Sequence, residues 1–226
     1  MRTKSITLLL LFLMAFFNTA AQDWPNLKRF KADNSEIIRL QKPVEVVFMG
    51  NSITEGWMSH DPEFFNKNGF INRGISGQTT PQMLIRFRQD VVDLQPKVVV
   101  ILAGTNDIAG NTGPSTIKMI QDNLASMAEI ATANGIKVVL SSILPVYDYP
   151  WKPGLKPAEK IIKINNWMKA YAEKHGHIYL DYHSHLSDKR KGMKPIYAND
   201  EVHPTSEGYE VMRPLAEAAI QKAMTK

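Results

Sequence analysis

Five short apolar runs, separated by segments long enough for helices, constrain the fold of this chain more than any other feature. The runs occupy residues 44–49, 70–72, 98–102, 137–141 and 177–180. Their apolar character is continuous rather than alternating, which is typical of strands buried on both faces of a sheet. Helical spacing follows at residues 81–94, 115–134, 157–175 and 206–224. This alternation predicts an α/β domain with a parallel sheet and right-handed crossovers.

Helix-capping and helix-terminating residues mark the expected ends of these elements. Thr80, Ser115 and either Thr205 or Ser206 are the expected helix caps. Asn134-Gly135 predicts a left-handed helix stop, with a strand starting at about residue 136. Residues 145–157 contain four prolines and form the one long irregular connection, a kind of loop that often carries function.

The first 21 residues predict a secretory signal peptide. They carry Arg2 and Lys4, an apolar stretch at residues 6–17 that is short for a bilayer span, and then Thr19-Ala20-Ala21. A membrane anchor is the alternative. The chain has no Cys, which excludes lipid attachment through an N-terminal cysteine and also excludes disulfides. We therefore expect one domain over residues 22–226, exported to the periplasm or the medium, with no stable membrane span after cleavage.

The charge pattern argues against a nucleic-acid partner. The formal net charge is +5, and the densest basic cluster is the short run Lys189-Arg190-Lys191. Since no nucleic-acid motif lies near that run, a solvated loop is the better interpretation. The oligomeric state is left open by the sequence.

Residues suited to acyl-transfer chemistry follow several of the predicted strands. Ser52, Gly74 and Asn106 come after the first three strands, and Asp200 and His203 lie in the loop before the last helix. Ligand sites of open α/β sheets lie beyond the carboxyl ends of the strands, so these residues are expected to meet at one edge.

Together these residues can supply a nucleophile, a base and an oxyanion hole. The hydroxyl of Ser52 is expected at the start of a loop, with His203 as its base and Asp200 orienting the imidazole. The backbone N–H groups of Ser52 and Gly74 and the side-chain amide of Asn106 are the expected oxyanion donors. A helix cap is the alternative role for Ser52, and a structural brace is the expected role of Asp107.

These blocks make the chain resemble the SGNH hydrolase family, also called GDSL-type esterases and lipases. The matching segments are Gly50-Asn51-Ser52-Ile53-Thr54, Asn72-Arg73-Gly74, Gly104-Thr105-Asn106-Asp107 and Asp200-Glu201-Val202-His203-Pro204. Asn51 stands where the family most often has Asp. The resemblance implies a three-layer αβα sandwich of flavodoxin-like type with a five-stranded parallel sheet. It also implies ester hydrolysis by a Ser-His-Asp mechanism without metal or cofactor.

Within this resemblance, the expected function is a secreted serine esterase that acts on small acyl groups, above all acetyl, of carbohydrates. The run from Gly74 to Thr80 is similar to the acetylhydrolase branch. The alternatives are a lysophospholipase or thioesterase, and a non-catalytic glycan-binding protein on the same fold. A nucleotide-binding role is disfavoured, because the segment after the first strand lacks a P-loop or dinucleotide fingerprint.

Two further groups of side chains are candidates for binding. Four aromatic residues, which could also be packing residues, are candidates for substrate contact: Trp57, Tyr147, Tyr149 and Trp151. His183 and His185 lie near Asp181, but no further ligand has suitable spacing, and so we expect no metal there.

Overall fold

Five parallel strands form the centre of the computed structural model, which describes residues 23–226. The predicted signal peptide at residues 1–21 lies outside the described residues. The strands are β1 (Val46–Gly50), β2 (Ile71–Gly74), β3 (Val98–Leu102), β4 (Lys137–Ser141) and β5 (Ile178–Leu180). They are ordered β2-β1-β3-β4-β5. All neighbouring pairs are parallel, and Gly50 lies opposite both Gly74 and Leu102. The order reverses at β1, so the loops after β1 and β3 meet at a topological switch point.

Helices cover both faces of this sheet. They are α1 (Lys31–Arg39), α2 (Ser52–His60), α3 (Pro62–Asn68), α4 (Thr80–Asp90), α5 (Thr105–Ala109), α6 (Ile117–Ala133), α7 (Ala158–His175), α8 (His183–Leu186) and α9 (Ser206–Met224). Short 3-10 turns occur at Val92–Leu94 and Pro195–Tyr197. Among residues 23–226, no helix is both long enough and apolar enough to cross a membrane.

The strand side chains alternate between two cores, one on each side of the sheet. Val47 and Met49 of β1 pack with side chains of α1, α4, α6 and α7. Val46 and Phe48 pack on the other side with α2, α3 and α9. Both sets are buried, which explains why the strand sequences are continuously apolar. The arrangement confirms the predicted three-layer α/β fold with its parallel sheet.

Several local expectations needed correction. Ser52 does not open a loop, because it is the first residue of α2, with Asn51 as the N-cap. The helix caps are Thr79 and Thr116 rather than Thr80 and Ser115, whereas Thr205 caps α9 as expected. The left-handed stop at Gly135 was predicted correctly, with φ of 75°.

Candidate active site

Ser52 is presented by a tight turn between β1 and α2. The side chain of Asn51 accepts a hydrogen bond from the N–H of Ile53 at 3.0 Å, which caps the helix. A side chain at Gly50 would clash with Thr54 and lie 3.1 Å from the carbonyl of Leu102. Capping requires an oxygen acceptor rather than a charge, so Asn51 can replace the more common Asp here.

A hydrogen-bonded relay connects Ser52 to two residues that are distant in the sequence. The hydroxyl Oγ of Ser52 lies 2.9 Å from Nε2 of His203. The other ring nitrogen of His203, Nδ1, lies 2.6 Å from Oδ2 of Asp200. The structure thus brings together the three residues proposed from sequence as nucleophile, base and orienting acid. A non-catalytic protein on this fold would have no need of this contact between Ser52 and His203.

The loop that carries Asp200 and His203 is organised around the Asp200 carboxylate. Its Oδ1 accepts hydrogen bonds from the backbone N–H groups of Val202 at 3.0 Å and His203 at 2.7 Å. Partial burial of Asp200 raises its pKa, but the hydrogen bonds from the backbone and ring of His203 outweigh burial. The net effect is a pKa of Asp200 below its ordinary value. A carboxylate that stays ionised can hold Nδ1 protonated and leave Nε2 free to accept a proton from Ser52.

Helix α9 fixes this loop relative to Ser52. Thr205 caps α9 by accepting from the N–H of Gly208 at 3.2 Å, and its hydroxyl donates to the carbonyl of Ile196 at 2.9 Å. The hydroxyl of Tyr209 donates to the carbonyl of Ile53 at 2.7 Å, which joins α9 to α2. Helices α2 and α9 lie far apart in the sequence, and these contacts hold them together at the relay.

Asn106 lies at the start of α5 with its amide directed toward the loop after β2. Its Nδ2 donates to the carbonyl of Gln78 at 2.9 Å, and an amide NH₂ has a second hydrogen to offer. The next residue, Asp107, accepts from the N–H of Thr80 at 3.0 Å and from the Thr80 hydroxyl at 2.5 Å. Burial raises the pKa of Asp107, although the hydrogen bonds from Thr80 oppose that shift. Asp107 is thus a brace between α5 and α4.

The structure does not support Gly74 as an oxyanion donor. Its N–H already donates to Oδ1 of Asn72 at 2.9 Å. A Cβ at this position would collide with the backbone of Glu55 and Asn51 at the start of α2. Gly74 is therefore required for close packing of β2 against α2, and its backbone donor is occupied.

Gly77 carries a backbone N–H that the sequence reasoning overlooked as a candidate donor. Within residues 23–226, the N–H groups of Ser52 and Gly77 have no protein acceptor. Gly77 has a φ of 75°, and Glu55, one turn after Ser52, accepts from the N–H of Ser76 at 2.9 Å. This contact holds the Gly77 turn beside α2, while Gln78 contacts Asn106. The run 74–80 contains two glycines, and the second, Gly77, lies in the loop beyond β2. This second glycine is the sequence signal that could have identified the candidate donor.

The four aromatic candidates for substrate contact have different environments. Trp57 is 2% exposed and stacks on Phe64 and Tyr209 in the core, so its predicted substrate contact is wrong. Tyr149 is also fully buried, and its hydroxyl donates to the carbonyl of Thr105 at 2.9 Å. That bond positions the residue before Asn106, and burial raises the pKa of Tyr149.

The other two aromatic side chains are exposed. Trp151 is 48% exposed, and its ring centroid lies 6.4 Å from that of His203, so Trp151 borders the relay. Tyr147 is 41% exposed and packs under the guanidinium of Arg190 at 5.2 Å. Only Trp151 of the four directly neighbours a residue of the relay in the described contacts.

The histidine pair after β5 forms local hydrogen bonds. Nδ1 of His185 contacts the carbonyl of Asp181 at 2.9 Å, and Nδ1 of His183 contacts the hydroxyl of Ser187 at 3.2 Å. Burial lowers the pKa of His183, with Asp181 opposing the shift. In the part of the chain that the structure describes, no group of three or more His, Cys, Asp or Glu side chains is placed to hold a metal ion.

Comparison with known proteins identifies relatives over most of the chain. Residues 48–211 match the GDSL-like lipase/acylhydrolase family. A solved structure of a proposed acylhydrolase from Bacteroides fragilis NCTC 9343 is 47% identical, with a TM-score of 0.85. That similarity covers 90% of this chain and 99% of the other.

Two curated relatives match over shorter segments. The lipoprotein YqeF of Bacillus subtilis, which is uncharacterised, is 38% identical over 81 residues, covering 34% of this chain and 33% of YqeF. Esterase TesA of Pseudomonas aeruginosa is 33% identical over 99 residues, covering 42% of this chain and 48% of TesA. The aligned segments thus span about a third to a half of these two relatives.

Proposed function

Because this chain belongs to the GDSL-like lipase/acylhydrolase family, whose members hydrolyse esters, we propose that it is a serine esterase for small acyl groups, above all acetyl groups on carbohydrates. The observation that carries this proposal is the relay from Asp200 through His203 to Ser52, with distances of 2.6 and 2.9 Å. A hydroxyl, a base and an orienting carboxylate in this order are what acyl transfer to serine requires.

In the first half of the proposed reaction, Ser52 attacks the ester carbonyl carbon. Nε2 of His203 accepts the hydroxyl proton as the bond from Oγ to carbon forms. The carbonyl oxygen becomes an oxyanion, and Asp200 stabilises the imidazolium of His203 through Nδ1. When the tetrahedral intermediate collapses, His203 returns the proton to the leaving alcohol, and the acyl group remains on Ser52.

The second half of the reaction regenerates the hydroxyl of Ser52. A water molecule gives its proton to Nε2 of His203 while its oxygen attacks the acyl carbon. Collapse of this second intermediate breaks the bond to Oγ, and His203 reprotonates Ser52. The net products are one carboxylic acid and one alcohol.

The proposed oxyanion hole has three donors from three separate segments, namely the first turns of α2 and α5 and the loop after β2. They are the N–H groups of Ser52 and Gly77 and the second hydrogen on Nδ2 of Asn106. Gly77 replaces Gly74 in this role because the N–H of Gly74 is bound to Asn72. Donors fixed in advance stabilise charge as it develops, and removal of one such donor typically slows turnover by about 10²–10³.

Two features favour a small, water-soluble substrate. The side chains of His203 and Asp200 are 40% and 43% exposed, so the relay is open to solvent. The exposed indole of Trp151 beside His203 offers a flat apolar surface on which a sugar ring can stack. We therefore place the alcohol part of the ester, a sugar, against Trp151.

We further propose that the protein works outside the cytoplasm. The support is the signal-peptide pattern in residues 1–21 together with the relative YqeF, which is a lipoprotein. Because this chain has no Cys, it cannot be anchored through an N-terminal lipidated cysteine as a lipoprotein is.

A chain-length series tests the proposed acyl preference. Hydrolysis of p-nitrophenyl acetate, butyrate and octanoate is measured beside acetate release from an acetylated oligosaccharide. We expect kcat/KM to be highest for acetate and to fall with chain length. Activity that rises steadily beyond butyrate would instead favour a lysophospholipase or thioesterase type of hydrolase.

A further inference from the structure

A groove opens between the amino-terminal ends of α4 and α6, at the same edge of the sheet as the relay. Its cavity volume is about 360 Å³, which lies within the size range of small-molecule sites. Trp24, Pro81 and Met119 give it an apolar wall, and Thr112, Asp122 and Asn123 give it a polar one. None of these side chains has a role in the proposed ester hydrolysis.

The backbone around Trp24 is hydrogen-bonded to residues at the start of α4, while Trp24 itself stays exposed. Its carbonyl accepts a hydrogen bond from Nε2 of Gln82 at 2.7 Å, and the carbonyl of Pro25 accepts from Nε2 of Gln78 at 2.7 Å. The carboxylate of Asp23 accepts from the N–H of Leu27 at 2.8 Å, which closes the turn. Trp24 nevertheless remains 41% exposed to solvent. Because this backbone is held, an aromatic side chain at position 24 can offer a flat apolar surface to a ligand.

The polar wall suits an uncharged ligand with hydroxyl groups. Asn123 donates through Nδ2 to the hydroxyl of Thr80 at 2.9 Å, and its amide oxygen can accept from a ligand. Asp122 is paired with Lys118 at 2.5 Å, and among the described residues that line the groove there is no Lys or Arg. An anionic ligand would meet Asp122 without a free cation to balance it. A sugar ring combines an apolar face with hydroxyl groups at its rim, and it matches both walls.

The loop that lines the groove is hydrogen-bonded to the turn that carries Gly77. The hydroxyl of Thr112 lies 2.9 Å from that of Thr79, and Nδ2 of Asn111 donates to the carbonyl of Gly77 at 3.3 Å. Residues 77–79 thus have the proposed oxyanion donor at one end and the groove at the other.

We propose that the groove is a second saccharide subsite, which binds an uncharged sugar ring of an oligosaccharide whose acetylated residue lies at Ser52. This inference rests on the proposed carbohydrate esterase function and narrows the substrate from an acetylated sugar to an acetylated chain. Trp24 then determines specificity on the Gly77 side of the relay, and Trp151 borders the His203 side.

Comparison of long and short substrates tests the subsite. For Trp24→Ala, we expect kcat/KM on acetylated xylotetraose to fall at least tenfold, mainly through KM. Hydrolysis of acetylated xylose and of p-nitrophenyl acetate should stay within twofold of the original protein. Trp24→Tyr should recover most of the loss, because it restores an aromatic surface. Ile38→Ala, which removes an exposed apolar side chain of α1, is the matched control and should change neither substrate.

Equal kinetics of Trp24→Ala and the original protein on acetylated xylotetraose would overturn the subsite, while leaving the esterase proposal intact. If p-nitrophenyl acetate is cleaved but no acetylated saccharide is, the proposed substrate class fails instead. The subsite is then tested by calorimetric titration of xylotetraose and mannotetraose into the Ser52→Ala protein. Saturable binding that Trp24→Ala abolishes would support the subsite, and absence of binding to either tetrasaccharide would refute it.

Discussion

Replacement of Arg86 by Met tests the buried contacts that support the candidate site. Arg86 is fully buried, and its guanidinium makes four contacts. It donates to Oε1 of Gln78 at 2.6 Å, to Oδ2 of Asp90 at 2.9 Å, and to the carbonyls of Gly50 at 3.0 Å and Arg73 at 2.9 Å. One side chain therefore joins the ends of β1 and β2 to the turn that carries Gln78.

The expected loss follows from the groups that Met leaves behind. Asp90 is also fully buried, and removal of one partner of a buried ion pair typically costs about 3–5 kcal/mol. Asn34 still donates to Asp90 at 2.7 Å, which places the expected loss near 3 kcal/mol. That is a large part of the ~5–15 kcal/mol by which domains are usually stable, but not all of it.

Urea unfolding followed by circular dichroism measures this loss. We expect the midpoint to fall at unchanged slope, and the double variant Arg86→Met/Asp90→Asn to be less destabilised than the sum of its two single variants. The coupling arises because the second change removes the charge that the first leaves unpaired. A loss below about 1 kcal/mol in Arg86→Met, or strict additivity, would refute this reasoning.

Three further predictions concern the relay and its supports. Asn106→Ala should lower kcat by about 10²–10³ with a smaller change in KM in steady-state kinetics, and unchanged kcat would remove Asn106 from the oxyanion hole. Gly74→Ala should lose about 3 kcal/mol in urea unfolding because its Cβ meets backbone, whereas Gly77→Ala should lose only about 1–2 kcal/mol for its positive φ. In acid unfolding followed by circular dichroism, Asp200→Asn should remove part of the loss of stability that the original protein shows as the pH falls. The pKa of Asp200 is lower in the folded protein than in the unfolded chain, so ionised Asp200 stabilises the fold. This contribution is fully present at pH values above the unfolded-state pKa and is lost as the pH falls through the folded-state pKa. The same dependence of stability on pH in Asp200→Asn and the original protein would contradict this role of Asp200.

The buried elements were the ones that the sequence predicted well. The strands Val98–Leu102 and Lys137–Ser141 and the helix Ser206–Met224 have the expected bounds. Strands buried on both faces leave an apolar signal that few other structures produce. The helix Ser52–His60 was missed because Gly56 and its Ser and Thr residues have low helix propensity, and its stability comes from packing against Phe48 and Tyr209.

The candidate site, too, was predictable from the sequence only in part. The relay could be proposed from sequence because Ser52, Asp200 and His203 each follow a predicted strand or precede a predicted helix at one sheet edge. The choice between Gly74 and Gly77 could not be made from the sequence, because it depends on which backbone N–H is already bound to Asn72. Nor could sequence distinguish the buried Trp57 from the exposed Trp151, since exposure of an aromatic ring is decided by the tertiary packing around it.

Covalent labelling of the serine tests the central claim most directly. The protein is treated with a fluorophosphonate, digested and examined by mass spectrometry, beside Ser52→Ala and His203→Ala. We predict one adduct, on the peptide that contains Ser52, which is absent in Ser52→Ala and forms at least a hundredfold more slowly in His203→Ala, together with loss of p-nitrophenyl acetate hydrolysis in both variants. An unlabelled Ser52 in a protein that still hydrolyses the ester, or full hydrolysis by Ser52→Ala, would contradict the proposed mechanism.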